Sequence, residues 1–192
     1  GQIRREGWLA FLAGALAMAW LVTASPYPAG IDSYYHIKMA RLLPTLGLPH
    51  AFPWLHWTFF REQFVSHHYG FHALLAPFVA LADRLLHNPI AGAKAAGVLC
   101  MGATSWMLWR ALRARLVPHA LFWTVLLGLA PWHFWLRMSY TRAPLAALPL
   151  LLAAVILCER RRALWLGLLG AAFVNVYFGA VLFLLIPASF MA

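Results

Sequence analysis

Long apolar runs alternate with short basic breaks along this chain. The first run, 8–25, follows Arg4 and Arg5. It is long enough for a bilayer, which takes about 20 residues at helical rise. Similar runs occupy 89–112, 119–134 and 143–158, and a last one, 163–192, reads as one or two short helices. The breaks hold "RALRAR" at 110–115 and "ERRR" at 159–162. Residues 26–88 break this pattern. They carry prolines at 26, 28, 44, 49 and 53 and many histidines and aromatic residues. Within them 33–43 reads as a short helix with Asp32 as its N-cap, and 69–86 reads as a second helix.

The segment 69–86 is marginal as a span, and charge decides its placement. If it crossed, the arginines of 110–115 and 159–162 would fall on the side opposite Arg4 and Arg5. If it lies along the surface, all the clusters share the cytoplasmic side, as the positive-inside bias requires. It also contains His72, Pro77, Asp83 and Arg84, which are expensive at membrane depth. It is therefore expected to be interfacial or re-entrant. The predicted fold is all-α: a polytopic membrane helix bundle, one transmembrane domain fragment over 1–192. A long first outer loop, 26–88, would contain short interfacial helices, and the N-terminus would be cytoplasmic.

Composition supports a membrane class. Of 192 residues, 64% are hydrophobic and 10% charged, and the mean hydropathy is +0.74. That leaves too few polar residues to cover a soluble domain. The net charge of +10 would suggest nucleic acid in a soluble chain. Here the arginines sit between apolar runs, so topology and anionic headgroups account for them and no nucleic-acid partner is expected. Cys100 and Cys158 fall in apolar runs and read as buried thiols. No signal-peptide cleavage site follows the first run, so that run reads as a retained anchor. The start at Gly1 and the apolar end "AVLFLLIPASFMA" read as cut ends.

Polar chemistry gathers on one face. Glu6 and Glu159 sit beside arginines, which leaves Asp32, Glu62 and Asp83 as the outer carboxylates. Eight of the nine histidines, all but His119, are expected on that same face. An enzyme working at the outer leaflet would show this distribution.

An apolar N-terminal helix followed at once by "DSYYH" at 32–36 resembles the GT-C membrane glycosyltransferases, in particular the oligosaccharyltransferase catalytic subunit and its bacterial relatives. "FHALLAPFVALADRLL" looks like that family's short loop helix before its second span. "RMSYTRAPLAALPLLL" looks like its second outer loop entering the fourth span, and "NVYFGAVLFLLIP" like its short helices near the fifth and sixth. The likeness covers the N-terminal third to half of a full-length member. Two positions depart from the family pattern. The second outer loop, "LRMSYTRAP", has no carboxylate where the family carries D-x-D, and Ser66 stands in "VSHHYGFH" where bacterial relatives have Asp.

The resemblance implies transfer of a sugar or oligosaccharide from a polyprenyl-phosphate or pyrophosphate donor to an acceptor at the outer face. Asp32 would be the catalytic carboxylate, with Tyr34, Tyr35 and His36 at the substrate and Arg137 and Arg142 on the donor's phosphates. A divalent metal, Mg or Mn by resemblance, would be held by Asp32, His67 and His68. Histidine suits Zn, Mn or Fe better than Mg. The implied setting is a bacterial inner membrane with a periplasmic or extracellular active face, in contact with membrane lipids. Plainer readings stand beside these. Asp32 could be only a helix cap, the tyrosines an interfacial aromatic belt, His67 and His68 interfacial residues, and the two arginines loop charges. A non-catalytic GT-C-like protein or a transporter fragment would also fit; for the latter, Lys94 is the one charge near a helix start.

Overall fold

The computed structural model describes residues 1–47, 50–52 and 55–190; Pro49, Pro53 and the last two residues of the 163–192 run lie outside them. The described residues form an all-helical structure: α1 (Gln2–Thr23), α2 (Asp32–Leu46), α3 (Tyr69–Leu86), α4 (Pro89–Ala114), α5 (Ala120–Leu126), α6 (Trp132–Ser139), α7 (Ala143–Glu159), α8 (Ala163–Val176) and α9 (Ala180–Ser189). Among them the only β pairing is an isolated bridge between Ala29 and Tyr140.

α1 begins six residues before the apolar run does, because Gln2, Arg4, Arg5 and Glu6 are good helix formers. It packs antiparallel to α4 through small residues. A Cβ on Gly14 would overlap Ser105 Oγ, and one on Gly102 would lie 2.8 Å from the Phe11 ring. Such residues let two backbones approach closely. Ala10, Met18 and Met101 are fully buried along this seam. Lys94 Nζ donates to the Ser25 carbonyl and ties the far end of the pair. The opposite face of α1 exposes Leu9, Leu12, Leu16 and Trp20. Among the described residues, α1 alone is both long and apolar enough to cross a membrane. α4 is longer, at 26 residues, but Lys94, Thr104, Ser105 and Arg110 interrupt it.

The run 119–134 is not one helix. α5 tightens into a 3-10 turn at Leu127–Leu129 and stops at Ala130, which is extended at φ −56° and ψ 151°. The next residue is Pro131, whose ring disfavours a helical neighbour before it and cannot continue the ladder. α6 then starts afresh. Run 143–158 becomes α7 almost unchanged, and 163–192 becomes two helices, α8 and α9, parted at residues 177–179.

The bundle has two unlike ends. At one, the start of α1 meets the end of α4 through Glu6 and Arg113 at 3.5 Å, and α4 meets the end of α7 through Arg115 and Glu159 at 2.7 Å. The other end gathers the end of α1 and the starts of α4 and α7. α8 returns to it, since Val176 joins Ala93 and Ala143 in one core cluster.

α3 lies across that second end. At its start, a Cβ on Gly70 would come within 2.9 Å of the Asn175 backbone at the end of α8. At its middle, the Phe78 carbonyl rests on Gly92 in the first turn of α4. Its last residue leads through His87, in the left-handed region at φ 51°, to Asn88. Asn88 caps α4 by accepting from the Ala91 N–H at 3.2 Å, with Pro89 in the first helical position. Both ends of α3 therefore sit at one end of the bundle. α2 flanks it, and Arg41 pairs with Asp83 at 2.8 Å. The apolar faces of α2, α3, α4 and α7 share a core of Ile37, Phe71, Leu75, Val79, Ala93 and Ala143.

Candidate functional site

The turn into α2 pins the first loop to the loop before α7. Gly30 takes φ +76°, and its bare Cα faces the Tyr140 ring. A Cβ there would sit 3.3 Å from that ring as well as being strained by the backbone. Ser33, fully buried, donates through Oγ to the Ala29 carbonyl and accepts from the Thr141 N–H at 2.9 Å. This clasp fixes Arg142, whose guanidinium Nη2 donates to Asp32 Oδ2 and whose Cζ lies 5.3 Å over the Tyr140 ring. Arg142 Nε is buried with no hydrogen-bond partner among the described residues. The Asp32 side chain is 57% exposed.

Asp32 is not the cap of α2. The N-cap is Ile31, already helical at φ −63° and ψ −42°, and no side chain caps the helix. Asp32 is the first helical residue and its carboxylate turns to Arg142. A negative charge is still favourable in the first turn of a helix, at the positive end of its dipole.

Behind Asp32 lies a buried histidine cluster. His36 Nδ1 and His72 Nε2 are 2.9 Å apart, and His72 Nδ1 is 3.2 Å from Ser66 Oγ. Tyr35 packs edge-on against both rings, at 5.1 and 5.7 Å. His68 stands 5.6 Å from the His36 ring and parallel to Tyr177 at 6.5 Å. Its Nδ1 is buried with no hydrogen-bond partner among the described residues. Burial lowers the His72 pKa to about 3, helped by the charges of His36 and His68. Burial also lowers His36, to about 4; His68 and Arg142 push the same way and Asp32 opposes them. Burial lowers His68 too, against a hydrogen bond to the Val176 backbone that raises it. The Tyr35 hydroxyl is raised by burial. At neutral pH these imidazoles are uncharged.

The expected site residues thus divide. Asp32 and Arg142 are brought together, with His36 and Tyr35 one turn deeper. Tyr34 is exposed at the surface. Arg137 is exposed on α6 and takes no part in the Asp32 pair. His67 is exposed and packs on Phe178 at 5.4 Å. Of the expected metal set, Asp32 turns to Arg142 and His67 packs on Phe178. Among the described residues no group of three His, Cys, Asp or Glu side chains is placed to hold a metal ion.

Two members of the cluster carry no role in the sequence reading. His72 figures there only as a residue expensive in a span, and Ser66 only as a departure from the family. The usable signal was spacing: His68 and His72 are four apart, which sets them on one helical face. Compared with known proteins, the chain matches no family model, no curated sequence and no solved structure.

Proposed function

We propose that this chain is the membrane domain of a GT-C-like glycosyltransferase that moves a sugar from a polyprenyl-phosphate donor to an acceptor at the outer face. The apolar belt over α1, α5, α8 and α9 supports membrane burial. It includes Leu12, Leu16, Trp123, Leu164 and Leu185, all exposed, and is far larger than a soluble monomer leaves uncovered. The sharing of one end by Glu6, Arg113, Arg115 and Glu159 supports an arginine-rich cytoplasmic end. The topology is then five crossings (α1, α4, α5 with α6, α7, α8), with α3 at the outer interface.

The observation that carries the catalytic part is the Asp32–Arg142 pair, held at the end remote from the arginine clusters. A donor phosphate competes with Asp32 for the guanidinium, whose planar fork matches phosphate oxygens. The Nε, buried with no partner among the described residues, is a further donor once the guanidinium has turned. Once Arg142 turns to the phosphate, Asp32 is free to orient the acceptor and take its proton. The acceptor bonds to the anomeric carbon as the bond from that carbon to the phosphate oxygen breaks. Arg142 stabilises the negative charge left on the polyprenyl phosphate.

A second reading, a non-catalytic GT-C-like protein or transporter fragment, is favoured by one observation: Asp32 is already neutralised by Arg142, and the loop 135–142 adds no other carboxylate. A transfer assay with a polyprenyl-phosphate sugar donor separates the two. Turnover in the parent chain that Arg142→Gln removes fits the first reading; no turnover in the parent fits the second.

A further inference from the structure

At the opposite end of the bundle, an open groove of about 990 Å³ runs between the first turns of α1 and the last turns of α4. Arg4, Arg110, Arg113 and Arg160 line it. Of these only Arg113 has a carboxylate partner among the described residues, Glu6 at 3.5 Å. Aromatic residues line it as well, with Trp8 and Phe11 in edge contact at 5.9 Å. Arg110 lies 5.0 Å over the Trp106 ring, which holds that guanidinium at the mouth of the groove. Trp109 also lines the groove, at 5% exposure.

We propose that this groove binds one anionic phospholipid of the cytoplasmic leaflet. Three arginines without a carboxylate partner among the described residues call for an anion with several acceptor oxygens. A phosphodiester bearing a second ionisable or hydroxylated headgroup supplies them. The aromatic wall continues from the charges down α1 toward Trp8 and Phe11, so the ligand must be amphipathic, with its acyl chains along that wall. A soluble anion would leave this wall uncovered. Basic pockets between membrane helices on the cytoplasmic side are suited to such headgroups. The inference rests on the membrane reading of the chain and is independent of sugar transfer.

The test is native mass spectrometry of the full chain released from bilayers of equal phosphatidylglycerol and phosphatidylcholine. One phosphatidylglycerol should be retained in clear preference to phosphatidylcholine. Arg110→Gln with Arg160→Gln should cut that retention about 25-fold, at roughly fivefold per cation near an anionic surface. Arg161→Gln with Arg162→Gln removes the same charge beside the groove and should leave retention unchanged. Equal retention of the two lipids by the parent chain would overturn the proposal without any variant. So would an equal loss in the control pair, which means diffuse charge, or displacement of the lipid by millimolar inorganic phosphate, which means a simple anion site. A chain that does not enter bilayers at all would instead overturn the membrane reading.

Discussion

His36 Nδ1 and His72 Nε2 face each other at 2.9 Å inside a protein that buries both rings. A bond at that distance needs one N–H and one bare nitrogen, so the two rings are never both imidazolium. Ser66 continues the run at the other nitrogen of His72. If Ser66 donates, His72 Nε2 carries the proton toward His36; if His36 donates, Ser66 is the last acceptor. Either sense is one directed chain of neutral rings.

Stability should fall on acidification. His36 and His72 have folded pKa values depressed to about 4 and about 3 from 6.5. Between those limits the unfolded chain binds more protons, so unfolding free energy rises with pH. Their contribution is fully present above pH 6.5 and is lost as pH falls through 4 toward 3. Thermal unfolding in detergent at pH 7, 5 and 4 should show a falling Tm, and His36→Phe with His72→Phe should flatten that slope. A parent chain with level Tm over this range would mean the rings are not buried as a neutral pair.

Truncating the pair one ring at a time should be worse than removing both. His36→Phe or His72→Phe alone leaves a buried nitrogen without a partner, at about 1–3 kcal/mol. The double variant should be less destabilised than the sum of the two, with a coupling of about 0.5–3 kcal/mol. Additive losses in a double-mutant cycle would show that the two rings do not act as a pair.

The helices were largely legible in the sequence, since apolar runs and basic breaks report burial and charge directly. What was not legible depended on which residues meet. The break before Pro131 hid inside a run whose composition stays apolar throughout. The start of α1 was masked because Arg4 and Arg5 read as flanks although their helix propensity is high. The clasp of Ser33 on Thr141 joins residues 108 apart, and no local pattern encodes it. Asp32 looked like a cap because caps and first-turn carboxylates share a residue type; only the position of Arg142 shows where its side chain turns.

Asp32→Asn should fold normally. Ile31, not Asp32, is the N-cap, and a half-exposed ion pair is worth less than about 1 kcal/mol. Transfer from a polyprenyl-phosphate sugar should nonetheless drop by roughly 100- to 10,000-fold, the usual worth of a general base. Parent-level turnover in Asp32→Asn would remove the carboxylate from the mechanism.

Gly14→Leu should break the α1–α4 seam. A Cβ already overlaps Ser105 Oγ, and forcing in extra atoms costs about 1–3 kcal/mol or more. Unfolding temperature in detergent should fall well below that of Gly128→Ala, where a Cβ meets nothing within 4 Å. Equal stability of the two variants would contradict the close approach.

The proposed topology is open to thiol labelling. In a chain without Cys100 and Cys158, a membrane-impermeant maleimide applied to intact cells should label His67→Cys and spare Ala114→Cys. Labelling at 114 from outside would place the arginine end on the outer face.

The placement of α3 also bears on how such a chain is made. If α1 is the first crossing and α4 the second, residues 26–88 pass through the translocon as one stretch, although 69–86 is apolar enough to tempt it sideways into lipid. On that reading Pro77, Asp83 and Arg84, with His72 nearer the front, are the residues that make lipid entry of 69–86 expensive. On the same reading α3 reaches its seat from the aqueous side, and the contacts of Gly70 with the Asn175 backbone and of His68 with the Tyr177 ring form only once α8 has been made.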